Sequence, residues 1–104
     1  MKNEYEMIMC ITNSGFSEQV MEIARSYGAK GGTVMNARGT VKQEALKRFD
    51  IDLTPEKEIT LILVSKNIKD DILNGLNSGV GLNTPGSGIA FSLPVDDVAG
   101  LKNS

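Results

Sequence analysis

A polar connection at residues 40–57 divides the chain into two runs with the same order of elements, strand–helix–strand, and that order leaves few folds open. In the first run residues 5–11, Tyr-Glu-Met-Ile-Met-Cys-Ile, read as a strand, and Asn13-Ser14-Gly15 punctuates its end. Ser17 is placed to cap a helix, with Phe16 positioned to staple onto Met21. Val20, Ile23, Ala24 and Tyr27 recur at helical spacing, so 18–27 reads as an amphipathic helix that Gly28 ends. Gly31-Gly32 opens a second extended piece, Thr33 to Arg38, and Gly39 closes it. Within the connection, Val41 to Phe49 carries the pattern of a short helix, and Pro55 stands near the end.

The second run repeats the order. Lys57 and Glu58 read as edge charges ahead of the strand Ile59-Thr60-Leu61-Ile62-Leu63-Val64. Asn67 can cap a helix with Ile68, Ile72, Leu73 and Leu76 on one face and Lys69, Asp70, Asp71 and Asn74 on the other. Gly79 and Gly81 are expected to stop it, and a glycine-rich loop then leads into Ile89-Ala90-Phe91-Ser92-Leu93. From Pro94 the chain reads as a short tail. The expectation is one α+β domain over residues 1–104, β-α-β-β-α-β, with a four-stranded antiparallel sheet and two helices on one face.

That architecture leaves the other sheet face to water, so its strands should alternate apolar and polar residues. They do not. Met7 to Ile11 is apolar throughout, as are Leu61 to Val64 and Ile89 to Phe91. Two helices in a 104-residue chain cannot cover both faces, and a chain this small buries a modest core on its own. A further subunit is the expected cover.

Composition narrows the function. There is no histidine, which removes the commonest general base and metal ligand and every Ser-His or Cys-His pair. The lone cysteine, Cys10, lies in an apolar run and reads as an inert core thiol; the five methionines read as core or interface fillers. A net charge of −2 gives no sign of nucleic acid. The polar, acidic start is unlike a signal peptide, and no apolar run approaches the about 20 residues of a membrane span, so the expectation is a cytoplasmic protein without membrane insertion. Together these point away from an enzyme.

Two segments could hold a ligand. Glycines at 81–88 would let backbone N–H groups approach a phosphate, although no Gly-Lys-Ser/Thr follows and the loop enters a strand rather than a helix; glycines serving a plain helix-to-strand turn explain it as well. Arg38, Lys42, Lys47 and Arg48 against Glu44 make 38–48 locally +3, which suits an anion or, with Glu44 and Arg48 paired one turn apart, a solvated helix face. Asp96-Asp97 lacks companion ligands and reads as a solvated terminus.

The segments Gly-Gly-Thr-Val-Met-Asn-Ala-Arg-Gly (31–39), Glu-Ile-Thr-Leu-Ile-Leu-Val (58–64) and Gly-Ser-Gly-Ile-Ala-Phe-Ser-Leu-Pro-Val-Asp (86–96) resemble the PII family of nitrogen-regulatory signal proteins, more closely its PII-like branch. The resemblance spans nearly the whole chain. It implies a ferredoxin-like fold, and a homotrimer whose sheets pack around a central axis. It also implies a small anionic ligand, such as an adenine nucleotide, between subunits. The ligand residues it implies are Thr33, Arg38, Gly39 and Thr40 on one side and Gly86, Ser87 and Gly88 on the other. Residues 40–54 match the T-loop, through which the family docks onto transporters, enzymes or regulators of nitrogen or carbon metabolism.

Three departures bear on the ligand. Residues 40–54 contain no tyrosine, so uridylylation of the family's usual kind has no acceptor; Ile89 stands where the ATP binders carry lysine; only Lys102 stands where they carry arginines. ADP, AMP, another anion and no nucleotide at all remain equal alternatives to ATP with 2-oxoglutarate. A structural or metal-tolerance trimer of the CutA type shares the fold, and would need ligands that a chain without histidine and with only Cys10 does not offer. An acylphosphatase-type hydrolase would need an arginine in the loop after the first strand, and 12–16 has none. An RNA-binding module of this topology would need aromatic residues repeating on its central strands.

Overall fold

A computed structural model describes residues 4–40 and 55–101. Their elements run β1 (Tyr5–Asn13), α1 (Ser17–Ser26), β2 (Thr33–Arg38), β3 (Glu56–Ser65), a 3-10 turn at Lys66–Ile68, α2 (Lys69–Val80) and β4 (Ile89–Val95). The four strands form one antiparallel sheet in the order β2-β3-β1-β4, which is the ferredoxin-like arrangement. The helix expected at Val41–Phe49, the Glu44–Arg48 pair, Lys42, Lys47 and Lys102 lie outside the described residues.

The core lies on the face of the sheet that carries the helices. Even-numbered residues of the central strands point into it: Glu6, Ile8, Cys10 and Thr12 of β1, and Thr60, Ile62 and Val64 of β3. Val20, Met21 and Ala24 of α1 and Ile72, Leu76 and Val80 of α2 complete it from above. The helices approach closely because α2 carries Gly75 and Gly79 toward α1. A Cβ on Gly79 would lie 2.6 Å from Ile23 Cδ1, and one on Gly75 would lie 2.9 Å from Ile23 Cγ2. Burial pushes the Cys10 thiol up to about 11, so it stays protonated and inert at neutral pH.

Several boundaries differ from the sequence expectation, each for a physical reason. Ser17 is the first residue of α1 rather than its cap; Phe16 takes the cap position, without a side-chain cap bond, and packs on the core. The acceptor comes from another strand: Glu58 Oε1 takes the N–H groups of Gly15 at 3.1 Å and Ser17 at 3.3 Å. Lys57 and Glu58 are therefore not edge charges. They lie inside β3, which has β2 on one side and β1 on the other. Asn67 does not cap α2; Ser65 accepts the Asn67 N–H and opens a 3-10 turn that runs into the helix. Gly79 lies within α2, and Gly81 follows its end in an extended conformation. Pro94 belongs to β4, paired with Glu6; its missing N–H is tolerated because β4 is an edge strand.

The end of α1 follows expectation. Gly28, at φ +115, donates to the Arg25 carbonyl, and Ala29 donates to that of Ala24, a Schellman closure that buries Ala29.

Candidate functional site

The helix-free face of the sheet is apolar row by row. Register places Met7 between Leu63 and Leu93, Met9 between Leu61 and Phe91, and Ile11 between Ile59 and Ile89. Met35 extends the last row through Ile59. Leu63, Ile89, Phe91 and Leu93 are exposed by 36% to 53%, far more than side chains of this size on a covered face. The doubled apolar strands are thus two real faces, one roofed by helices and one bare in the single subunit.

One end of this sheet collects most of the residues that the sequence singled out. β1 ends there at Asn13, β3 begins there, β2 ends there at Arg38, and the glycine loop enters β4 there. Gly39 donates its N–H to the Pro55 carbonyl at 2.7 Å, so the two ends of the 40–54 connection are pinned side by side. Arg38 and Thr40 flank it with exposed side chains.

The glycine loop is built mainly by its own chain. Thr84 donates its N–H at 3.0 Å and its hydroxyl at 2.7 Å to the Gly81 carbonyl. Ser87 donates to the Thr84 carbonyl and sits at φ 49, a left-handed conformation unusual for a side-chain-bearing residue. Gly88 donates to the Val80 carbonyl at 2.7 Å and bridges Gly81. A Cβ on Gly88 would lie 2.5 Å from the Val80 oxygen and 2.9 Å from Thr12 Cγ2; one on Gly86 would meet Val80 and Phe16. The turn itself therefore requires glycine at 88 and leaves little room for a side chain at 86.

The structure separates the predicted site residues within one subunit. Gly39 closes β2 and Gly88 precedes β4, and these are the two outer strands. Three strand spacings, about 14 Å, lie between them. Thr33 is apart from both. It stands opposite Leu61 in mid-sheet, five residues or about 17 Å along β2 from Arg38. There it lines a depression of about 310 Å³ with Gly31, Gly32, Met7 and Leu63. Gly32 has no room for a side chain: its Cβ would lie 2.9 Å from the Leu61 oxygen and 2.9 Å from Met21 Sδ.

Two residues at this end were missed in the sequence. Asn13 is buried and bonds the glycine loop through its backbone and side chain, and Lys57 donates to Asn13 Oδ1 at 2.7 Å. Their only sequence signal was position, at the end of one central strand and the start of the other. Among the described residues no group of three or more His, Cys, Asp or Glu side chains could hold a metal ion. No helix among them is long and apolar enough to cross a membrane.

A ferredoxin-like sheet with one bare apolar face, a pinned connection between β2 and β3 and a glycine loop before β4 defines a small ferredoxin-like α+β domain. The sequence profile described as nitrogen regulatory protein P-II matches residues 5–104, and the chain belongs to that family of signalling proteins. Among solved structures it is similar to Arabidopsis thaliana PII bound to citrate, with a TM-score of 0.71 at 24% identity over 97% of this chain and 83% of that one. It is also similar to the B. subtilis GlnK–ATP complex, with a TM-score of 0.67 at 21% identity over 91% of this chain and 84% of that one. A PII-like signalling protein of Thermus thermophilus gives 0.67 at 20% identity, covering 88% of this chain and 85% of that one. At these identities the likeness is one of fold. A comparison with curated protein sequences finds no match.

Proposed function

We propose that this protein is a non-enzymatic PII-like regulator that assembles as a cytoplasmic homotrimer. It binds a small anion of the nucleotide class in clefts between subunits and signals to a protein target of nitrogen or carbon metabolism through residues 40–54. The observation that carries the reading is the strand order: Gly39 and Gly86–Gly88 share one end of the sheet and occupy opposite edges. One subunit cannot close both on a single phosphate, whereas a neighbour's edge could. The bare face around Met9 and Phe91 supplies the apolar surface for such assembly.

Within the cleft, the depression at Thr33 suits the apolar plane of a base, and the Arg38–Gly39–Thr40 end of β2 suits phosphate. Gly86, Ser87 and Gly88 of the neighbour would face that phosphate. The citrate bound by Arabidopsis thaliana PII and the ATP bound by B. subtilis GlnK support an anionic ligand. Sedimentation and calorimetry with ATP, ADP and AMP test the reading. A trimer that gives heat with at least one of them is expected. A monomer at micromolar concentration refutes the assembly, and silence with all three refutes the nucleotide.

A further inference from the structure

Lys57 and Asn13 form a continuous link between the two edges of the sheet. The Lys57 alkyl chain lies against Gly39, where a Cβ would be 3.0 Å from Cε and 3.3 Å from Cγ. Its ammonium donates to Asn13 Oδ1 at 2.7 Å. Asn13 in turn donates from Nδ2 to the Pro85 carbonyl at 3.1 Å and from its backbone N–H to the Gly86 carbonyl at 2.8 Å. The Asn13 amide has its oxygen turned to an ammonium and its nitrogen to a carbonyl. Flipping it would set donor against donor and acceptor against acceptor, so its orientation is fixed by both partners at once. Asn13 is only 8% exposed, and little water is available to replace a lost partner.

The link reaches from the base of the 40–54 connection, on β2, to the glycine loop before β4. In an assembly with clefts between subunits these two places serve different clefts. We infer that Lys57 and Asn13 are positioning residues that couple the two clefts to which each subunit contributes. A ligand that shifts Gly39 displaces Lys57, and Asn13 passes that displacement to the Pro85–Gly86 turn facing the other cleft. The coupling of clefts rests on the inter-subunit reading proposed above; the link within the subunit does not.

The experiment has a ligand-free arm and a ligand arm. Lys57→Met keeps the alkyl contact with Gly39 and removes the ammonium; Lys57→Arg restores a donor. By amide hydrogen exchange on the full chain, Lys57→Met is expected to speed exchange at the Asn13 N–H by about tenfold, and Lys57→Arg to return it toward wild type. Unchanged exchange at Asn13 overturns the link. In the second arm ADP is titrated by calorimetry. Wild type is expected to depart from identical independent sites, and Lys57→Met, with its circular dichroism unchanged, to approach them. The same ratio of successive constants in both proteins, or independent sites in wild type, overturns the coupling. If ADP gives no heat in either protein while the exchange effect holds, the nucleotide reading fails and the coupling with it, and the link itself stands.

Discussion

Gly88→Ala tests what the glycine loop is for. Gly88 does not lie at positive φ, so alanine meets no backbone penalty there and the cost is steric. Its new Cβ would lie 2.5 Å from the Val80 oxygen, 2.9 Å from Thr12 Cγ2 and 3.2 Å from the Ile11 oxygen. Two of these three are backbone atoms of a helix end and a central strand, which cannot swing away as a side-chain tip can. Overpacking of this kind costs about 1–3 kcal/mol. The shift also weakens the Gly88–Val80 hydrogen bond, a further 0.5–1.5 kcal/mol or so. Reduced freedom of the unfolded chain offsets about 0.4–1 kcal/mol. The net is a loss of about 2 kcal/mol, or on the order of 10 °C in Tm for a domain of this size. Urea unfolding followed by circular dichroism at fixed subunit concentration measures it. Gly31→Ala is the control, since nothing lies within 4 Å of its Cβ, and it is expected to be neutral or slightly stabilising. If Gly88→Ala is as stable as Gly31→Ala, the packing account of the loop is wrong, and the glycine at 88 must be there for something outside the subunit.

Other outcomes follow from single contacts. Met9→Glu puts a carboxylate in the middle of the bare face, between Leu61 and Phe91, and is expected to give a folded monomer by analytical ultracentrifugation; an unchanged trimer would mean that this face is not the interface. Glu58→Ala removes the acceptor for the Gly15 and Ser17 N–H groups and should cost about 1 kcal/mol by urea unfolding, with Glu58→Gln retaining part of it. Cys10, raised from 9.0 to about 11 by burial, should be refractory to thiol reagents in the native state. Because the unfolded chain gives up this proton first, stability held below pH 9 should fall as pH rises through about 11. A Cys10→Ala variant should lose that part of the pH dependence, and an identical alkaline limb in both proteins would assign it to other groups.

The order of elements was legible because each carries its own local signal. Thr33 to Arg38 is bounded by glycines on both sides, and its limits match the sequence reading residue for residue. The end of α1 was legible for the same reason, since Gly28 supplies a conformation that few other residues adopt. What escaped were contacts made across the sheet. The cap of α1 comes from Glu58, forty-one residues beyond the Ser17 it serves, so the nearby serine looked like the better answer. Lys57 and Glu58 looked like edge charges because β3 extends three residues further back than its apolar run, to where β1 and β2 both end. Pro94 looked like a terminator because proline does not fit a central strand, and its real place on an outer strand depends on strand order.

Strand order is also what separates the two explanations of the glycine loop. Packing against Val80, Thr12 and Ile11 accounts for glycine at 88, and packing against Val80 and Phe16 accounts for it at 86. Neither contact accounts for Ser87, which holds a left-handed conformation between them that a glycine would adopt at lower cost. Its N–H is bonded to Thr84, so the turn is held tightly while the serine is only half-buried. A loop shaped for its own packing alone would place glycine at 87 and leave 86 and 88 as they are. Keeping a hydroxyl at the strained position suggests that the side chain has a partner beyond the subunit, at the edge where the proposed cleft would be. Ser87→Gly separates the cases: it should leave stability unchanged or raised by up to about 1 kcal/mol, and weaken anion binding if the hydroxyl is a ligand. Equal affinity for ADP in Ser87→Gly and wild type would remove Ser87 from the site.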